Sequence, residues 1–172
     1  MYQIALVDDH KMLRSGLARL LAALDYHILF EADNGKDFIE KLSYSGNPDL
    51  VLMDITMPLM DGYKTTAWLT NHHPEIRVIA LSMIDDDEAV IKMIRNGARG
   101  YLLKDAGTAE LRAAIEAVRQ HGLYYTDMVT GKLVHLLAHT GVPGSHHGAE
   151  HLTEKEIEFL KFACTEMTYK EI

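Results

Sequence analysis

Short apolar runs alternate with segments of helical periodicity along the first two thirds of the chain. The runs predict strands at Ile4–Val7, His27–Glu31, Leu50–Met53, Val78–Leu81 and Gly100–Leu103. Each run is followed by apolar residues that recur every three to four positions, the first such set being Leu13, Leu17, Leu20, Leu21 and Leu24. This alternation predicts five βα units. Right-handed crossovers then give a three-layer α/β domain, with helices on both faces of a parallel sheet.

The fourth helical segment is more apolar than its place in the pattern requires. Asn96-Gly97 ends this helix, and the next one begins at Thr108 and ends at Gly122. The fourth helix and the residues before it contain Ile84, Val90, Met93 and Ile94. One face of a helix needs fewer apolar residues than this, so we expect some of these four to contact a partner. The alternative is that all of them belong to the core.

Polar side chains stand where four of the predicted strands end. Asp8-Asp9 follows the first strand, Asp54 the third, Ser82 the fourth and Lys104 the fifth. The carboxyl ends of parallel strands meet at one edge of the sheet, where α/β proteins bind ligands, so we expect these side chains to converge. Taken singly, Asp9 could cap a helix, and Ser82 or Asp54 could belong to a turn. As a set they favour a functional site.

The residue types of this set suit phosphoryl transfer. Three carboxylates at one edge repel each other unless a cation lies among them, and an oxygen-rich site of this kind suits Mg²⁺. Lys104 supplies a second positive charge. A carboxylate beside Mg²⁺, an ammonium and a hydroxyl can attack a phosphoryl group, because the cations bind the phosphoryl oxygens as charge spreads over them. Asp54, which follows an apolar strand, is the candidate nucleophile.

Composition excludes several other classes of protein. The chain has 172 residues, of which 48% are apolar, enough for a domain with its core, a linker and a fragment. Its net charge of −8 gives no overall attraction to nucleic acid or anionic membrane. Cys164 is the single cysteine, which suits a reducing cytosol, and no apolar run reaches the ~18 residues of a membrane span. We expect a cytoplasmic protein.

The pattern changes after Gly122. Val129, Leu133, Leu136 and Leu137 predict a short helix, and the glycine- and histidine-rich stretch 141–150 predicts a linker. Thr153 with Glu156, and Thr168 with Glu171, form capping boxes that predict the starts of two further helices. From residue 150 onward there are three lysines and six glutamates, so this segment has no basic patch for DNA.

The residues at the strand ends, together with Met57-Pro58 and Gly62, resemble the receiver domain of bacterial two-component response regulators. The resemblance covers residues 1 to about 121, and GARGYLLKDA at 97–106 is similar to the NarL/FixJ class. It implies a flavodoxin-like (βα)5 fold with a doubly wound sheet. It further implies phosphorylation of Asp54, Mg²⁺ bound by Asp8, Asp9, Asp54 and the main-chain carbonyl of Thr56, and phosphate contacts and a switch at Ser82, Lys104 and Tyr101.

The last segment, LTEKEIEFLKFACTEMTYKEI, resembles the opening of a LuxR-type helix-turn-helix domain, although Glu166 stands where that family usually has glycine. We expect a receiver domain at 1–121, a linker with a short helix at 122–151, and an incomplete DNA-binding domain at 152–172. The recognition helix cannot exist in the 21 residues of that fragment, so we expect this truncated chain not to bind DNA tightly.

The resemblance implies a regulator and not an enzyme. A sensor histidine kinase would phosphorylate Asp54, the phosphorylated form would become a homodimer, and the intact protein would bind promoter DNA. One alternative is a receiver that acts through protein contacts alone. Another is an aspartyl-phosphate hydrolase of the haloacid dehalogenase type, although such enzymes carry a D-x-D motif after strand one, where this chain has Asp8-Asp9-His10.

Overall fold

Five strands alternate with five helices in the computed structural model, which describes residues 2–83, 86–126 and 129–131. The strands are β1 (Gln3–Val7), β2 (His27–Ala32), β3 (Leu50–Asp54), β4 (Arg77–Ser82) and β5 (Gly100–Leu103). The helices are α1 (Lys11–Ala23), α2 (Gly35–Ser45), α3 (Gly62–His72), α4 (Asp87–Arg95) and α5 (Thr108–His121). The predicted α/β architecture is confirmed, and each strand differs from its predicted bounds by at most one residue at either end.

All neighbouring strands in the sheet are parallel, in the order β2-β1-β3-β4-β5. The central strand, β3, pairs with β1 from Leu50 opposite Ile4, and with β4 as far as Asp54 opposite Leu81. Every residue of β3 is buried, which explains its continuous apolar run. The strand ends that carry the candidate residues therefore lie along one edge of the sheet.

The sheet has a hydrophobic core on each face. Leu50 and Leu52 of β3 belong to one core, and Val51 and Met53 belong to the other, because successive side chains of a strand point to opposite faces. The first core includes Leu21 of α1 and, from α5, Leu111, Ala114, Ile115 and Val118. The second includes Phe38 and Leu42 of α2 and Leu69 of α3. Helices thus cover both faces, as the doubly wound fold requires.

The inward face of α1 includes Arg14 and not Leu13, which differs from the prediction. Leu13 is 38% exposed, whereas Arg14 is 9% exposed. Arg14 precedes Leu17, Ala18 and Leu21 by three, four and seven residues, so it occupies a position on the inward face of the helix. The prediction that Leu13 belongs to this face is wrong, because a charged residue takes the place expected of an apolar one.

Two of the four apolar residues at or just before α4 are core residues. Val90 and Met93 are fully buried, and they lie three residues apart on one face of the helix. The helix packs against α3 and β5, which accounts for that face. Val90 and Met93 are thus core residues, and the expectation that some of the four contact a partner stays a prediction. Ile94 is half-buried, and Ile84 lies outside the described residues.

The chain continues along the sheet after α5 ends. Gly122 follows the helix with φ +84°, a left-handed conformation that favours glycine. Tyr124 then donates its N–H to Arg99 O (2.8 Å) and bridges Gly100, and the hydroxyl of Tyr125 donates to Ala98 O (2.7 Å). The first compact unit runs to Val129, so it extends beyond the α5 terminus.

The predicted boundary at residue 121 stays a prediction. Most of the predicted linker helix, the 141–150 linker and the 152–172 fragment lie outside the described residues. Within the described ranges, no helix combines the length and the apolar character that a membrane crossing needs.

Candidate functional site

The carboxylate of Asp8 is buried where β1 ends. Asp8 is 2% exposed, and its Oδ1 accepts a hydrogen bond from the main-chain N–H of His10 (2.7 Å). Asp9 is exposed. Helix α1 begins at Lys11 with His10 as its N-cap residue, and no side chain in this described segment caps it. Asp9 therefore does not act as a helix cap, which leaves its carboxylate available to a ligand.

Asp54 is buried at the end of β3, with 5% of its surface exposed. The main-chain N–H of Thr56 donates a hydrogen bond to its carboxylate. Burial raises the pKa of Asp54 above its ordinary value, and the negative charge of Asp8 adds to this effect. The ammonium of Lys104 and the Thr56 amide oppose the rise without cancelling it. Thr56 is exposed, and its carbonyl was the predicted main-chain ligand.

Lys104 joins the two buried carboxylates. Its Nζ lies 2.8 Å from Asp8 Oδ2 and 3.0 Å from Asp54 Oδ1, and its side chain is 6% exposed. Burial lowers the pKa of the ammonium, but the contacts with Asp8 and Asp54 outweigh burial, so the pKa lies above its ordinary value. Lys104 is therefore a charged bridge between the ends of β1, β3 and β5.

Ser82 and Tyr101 are both buried on the strands next to this bridge. Ser82 is 7% exposed at the end of β4, directly after the residue that pairs with Asp54. The main-chain N–H of Lys104 donates to Ser82 O (2.7 Å), which ties the ends of β4 and β5 together. Tyr101 is 1% exposed in the middle of its strand segment. The ring of Tyr101, which the resemblance implies is part of a switch, is therefore buried in this structure.

The loop after β3 approaches the backbone of Asp54 closely. A Cβ atom on Gly62 would lie 2.2 Å from the carbonyl oxygen of Asp54, so only glycine fits there. The N–H of Gly62 donates to Ile55 O (2.9 Å), and Asp61 caps α3 by accepting from the N–H of Lys64 (2.8 Å). The close approach of Gly62 to Asp54 brings the start of α3 against the end of the strand that carries Asp54.

The donor set at the end of β1 fits a hard divalent cation. One ligand atom from each of Asp8, Asp9 and His10 lies within 4.8 Å of the others. Oδ2 of Asp8 is buried and lies 2.8 Å from the Lys104 ammonium, which is shared with Asp54. Carboxylate oxygens are the ligands that Mg²⁺ prefers, and the three carboxylates of Asp8, Asp9 and Asp54 carry more negative charge than the single Lys104 ammonium balances. The residues present therefore fit Mg²⁺.

Arg14 was missed by the sequence analysis. Its guanidinium forms ion pairs with Glu31 (2.9 Å) and Asp33 (2.6 Å) and also reaches the carbonyl oxygen of Asp8. Burial lowers the pKa of Arg14, but the hydrogen bonds with these two acids raise it further, so the pKa lies above its ordinary value. The available signal was an arginine on the otherwise apolar face of α1, since a buried cation requires anionic partners.

Comparisons with known proteins identify the family. The family model of the response regulator receiver domain matches residues 4–116. The transcriptional regulatory protein LiaR of Bacillus subtilis is 35% identical over 173 residues, a match that covers 100% of this chain and 81% of LiaR. The transcriptional regulatory protein DegU of Brevibacillus brevis is 36% identical over 133 residues, which cover 77% of this chain and 56% of DegU. The match thus spans little more than half the length of DegU.

Solved receiver domains have the same fold. The signal receiver domain of NarL from Mycobacterium tuberculosis has a TM-score of 0.64 and 30% identity, covering 69% of this chain and 97% of that one. The BeF3-activated receiver domain of DrrB has a TM-score of 0.61 and 28% identity, covering 67% of this chain and 95% of that one. With the matching family model and the relatives above, these similarities show that the chain belongs to the response regulators of two-component systems, in the NarL/LuxR group.

Proposed function

We propose that this chain is a phosphorylation-controlled switch and that Asp54 accepts the phosphoryl group. The observation that carries the proposal is the buried bridge from Asp8 through Lys104 to Asp54. Ion pairs of this kind are expensive to bury, and a fold stabilised only by packing has no need of one. A cation next to an acceptor carboxylate is what phosphoryl transfer requires.

The reaction follows from the charges at the site. A carboxylate oxygen of Asp54 attacks the phosphorus of a phosphohistidine on a sensor kinase. A P–O bond forms as the P–N bond breaks, and the departing imidazole nitrogen keeps the electron pair and takes up a proton. The raised pKa of Asp54 indicates that burial disfavours its ionised form. Once ionised, this carboxylate is a strong nucleophile. Lys104 binds a phosphoryl oxygen through its ammonium, and Ser82 donates its hydroxyl to another.

Asp8, Asp9, Asp54 and the main-chain carbonyl of Thr56 would hold Mg²⁺. When bound, the ion offsets the negative charge that accumulates on the phosphoryl oxygens. The support is the group of ligand atoms at the end of β1 beside the buried Asp54, and the similarity to a receiver domain activated by BeF3, a phosphoryl mimic. Lys104 then exchanges part of its contact with Asp8 for contact with the phosphoryl group.

The output that we propose is transcription control. LiaR and DegU are both named transcriptional regulatory proteins. Phosphorylation would favour a homodimer, and a complete helix-turn-helix domain would then bind promoter DNA at paired half-sites.

Mapping the acyl phosphate tests the proposal. The protein is incubated with radiolabelled acetyl phosphate and Mg²⁺, and the modified peptide is identified by mass spectrometry after borohydride reduction. We expect label on Asp54 and none on Asp54→Asn. Asp25→Asn, which removes an exposed carboxylate, is the matched control and should label like the wild type. Label on Asp8 or Asp9, or equal labelling of Asp54→Asn, would overturn the assignment.

A further inference from the structure

Arg14 is a buried cation that connects the ends of β1 and β2. Its side chain is 11% exposed. Nε lies 2.9 Å from Glu31 Oε2, and Nη1 lies 2.6 Å from Asp33 Oδ1. Nη1 also donates to two main-chain carbonyl oxygens, those of Asp8 and of Ala32, the latter at 3.1 Å. The guanidinium thus satisfies backbone oxygens at the edge of the sheet that carries the candidate site.

The carbonyl of Asp8 belongs to the peptide group that leads into Asp9. A hydrogen bond to this oxygen therefore restrains the direction in which the chain leaves β1. The N–H of Asp8 is held as well, because it donates to Ala32 O (3.1 Å), the same oxygen that Arg14 contacts. Both main-chain groups of Asp8 are thus fixed to the end of β2, one directly and one through Arg14.

The two acids that pair with Arg14 are themselves restrained by α2. Lys41 Nζ donates to Glu31 O (2.8 Å) and to Asp37 Oδ2 (2.9 Å). The N–H of Asp33 donates to the same oxygen of Asp37 (2.8 Å). Arg14 is therefore held in one orientation by groups outside the candidate site, which is what a residue needs in order to position another.

We infer that Arg14 is a positioning residue that holds Asp8 and Asp9 in the arrangement that binds a divalent cation. This inference rests on the proposed function, in which these two carboxylates bind Mg²⁺. Arg14 would touch neither the cation nor the phosphoryl group. Arg14 would act through its hydrogen bond to the Asp8 carbonyl. Residues in other metal sites likewise orient the metal ligands without touching the metal.

Charge and position predict opposite effects of removing Arg14. A positive charge near the site repels Mg²⁺, so its loss through electrostatics alone would tighten cation binding. Loss of the hydrogen bond to the Asp8 carbonyl would release the Asp8–Asp9 segment and weaken binding. The direction of the change therefore separates a positioning role from a purely electrostatic one.

The test measures Mg²⁺ affinity by isothermal titration calorimetry at a temperature where circular dichroism shows every variant to be folded. Arg14→Met should bind Mg²⁺ about tenfold more weakly, the lower end of the loss found when residues behind metal ligands are removed. Arg14→Lys should recover part of the affinity, because an ammonium can reach a carbonyl but lacks the planar fork that serves several acceptors. If Arg14→Met does not fold, the loss in Arg14→Lys carries the test.

Two controls match the variant in charge and in stability. Arg19→Met removes an exposed arginine from the same helix and should leave the affinity unchanged. Leu21→Ala removes a core contact of α1 and lowers stability, but it should also bind Mg²⁺ like the wild type. Equal or tighter binding by Arg14→Met and Arg14→Lys would overturn the inference, while Mg²⁺ binding by the wild type would still support the proposed function. A wild-type protein that bound no Mg²⁺ would overturn both.

Discussion

The ammonium of Lys104 lies 3.0 Å from Oδ1 of Asp54, and both side chains are almost completely buried. An ammonium at this distance would normally lower the pKa of an aspartate. Here burial and the charge of Asp8 have the larger effect, and the pKa is raised. Asp54 is therefore an acid whose charge is destabilising in the folded protein even with a cation beside it.

A neutral residue in place of Asp54 should stabilise the fold at neutral pH. The pKa of Asp54 is higher in the folded protein than in the unfolded chain. The contribution of Asp54 to the free energy of unfolding therefore falls as the pH rises from the ordinary carboxyl pKa through the raised one. Without Mg²⁺, Asp54→Asn should melt a few degrees above the wild type at about pH 7, and the difference should shrink toward about pH 4. Thermal denaturation at several pH values measures this, with Asp25→Asn as the control. A less stable Asp54→Asn at neutral pH would contradict the pKa direction.

Mg²⁺ should stabilise the wild type against heat. A ligand that binds only the folded state adds about 1.4 kcal/mol to the free energy of unfolding for each tenfold rise in concentration above its Kd. Asp9→Asn, which removes an exposed carboxylate of the proposed set, should lose most of this gain. Melting curves across a Mg²⁺ titration provide the measurement. The same melting temperature at every concentration would exclude the three-carboxylate site.

Replacement of Lys104 should make the protein more dependent on Mg²⁺. Lys104→Met leaves Asp8 and Asp54 as buried carboxylates without their cation, and breaking a buried ion pair typically costs about 3–5 kcal/mol. Mg²⁺ can replace that charge, so it should raise the melting temperature more in this variant than in the wild type. Lys36→Met, at an exposed position, is the control. Labelling of Asp54 by acetyl phosphate should persist in part, because the nucleophile remains.

Beryllofluoride with Mg²⁺ should change the β4–β5 end of the sheet. New acceptor oxygens at Asp54 would attract the hydroxyl of Ser82 and stabilise the buried ring of Tyr101. We expect slower amide hydrogen exchange from Ser82 to Lys104 and a sedimentation mass that rises toward a dimer. Asp54→Asn should show neither response. Exchange changes limited to the loop after Asp54, at constant mass, would refute the switch.

An added methyl group at Gly62 should damage the site directly. The Cβ of Gly62→Ala would overlap the carbonyl oxygen of Asp54 and displace either the β3 terminus or the start of α3. We expect a loss of stability of about 1–3 kcal/mol, as for other overpacked positions, and slower labelling of Asp54. Gly16→Ala is the matched control, because Gly16 is at an exposed position of α1 and its Cβ would meet no atom within 4 Å. That variant should be slightly more stable, by up to about 1 kcal/mol. Equal stability of the two variants would argue against the close contact.

The strands and their carboxyl ends could be predicted because each carries a local signal. The run from Leu50 to Met53 is apolar at every position, and Asp54 follows it, so the strand and its terminal acid are both visible in the sequence. Parallel pairing then requires Asp8 and Lys104 to lie near Asp54. The structure brings these three side chains together, as predicted.

The contacts between elements could not be predicted in the same way. Leu13 and Arg14 are adjacent in sequence, and only the pairing of Arg14 with acids on and after β2 explains why the arginine lies inside. Which apolar residues of α4 belong to the core could not be predicted, because the packing of α4 against α3 and β5, which buries Val90 and Met93, is not visible in α4 itself. The place of Gly62 against Asp54 likewise depends on how a loop returns to the sheet.

The order of strands in the sheet also sets when this site can form as the chain is synthesised. β1 leaves the ribosome first, but its inner neighbour, β3, follows only after β2 and two helices. Lys104 comes after the fifth strand, so Asp8 and Asp54 would meet without their ammonium until that strand has been added. A nascent chain that ends before β5 therefore has two like charges close together at the carboxyl ends of its two central strands.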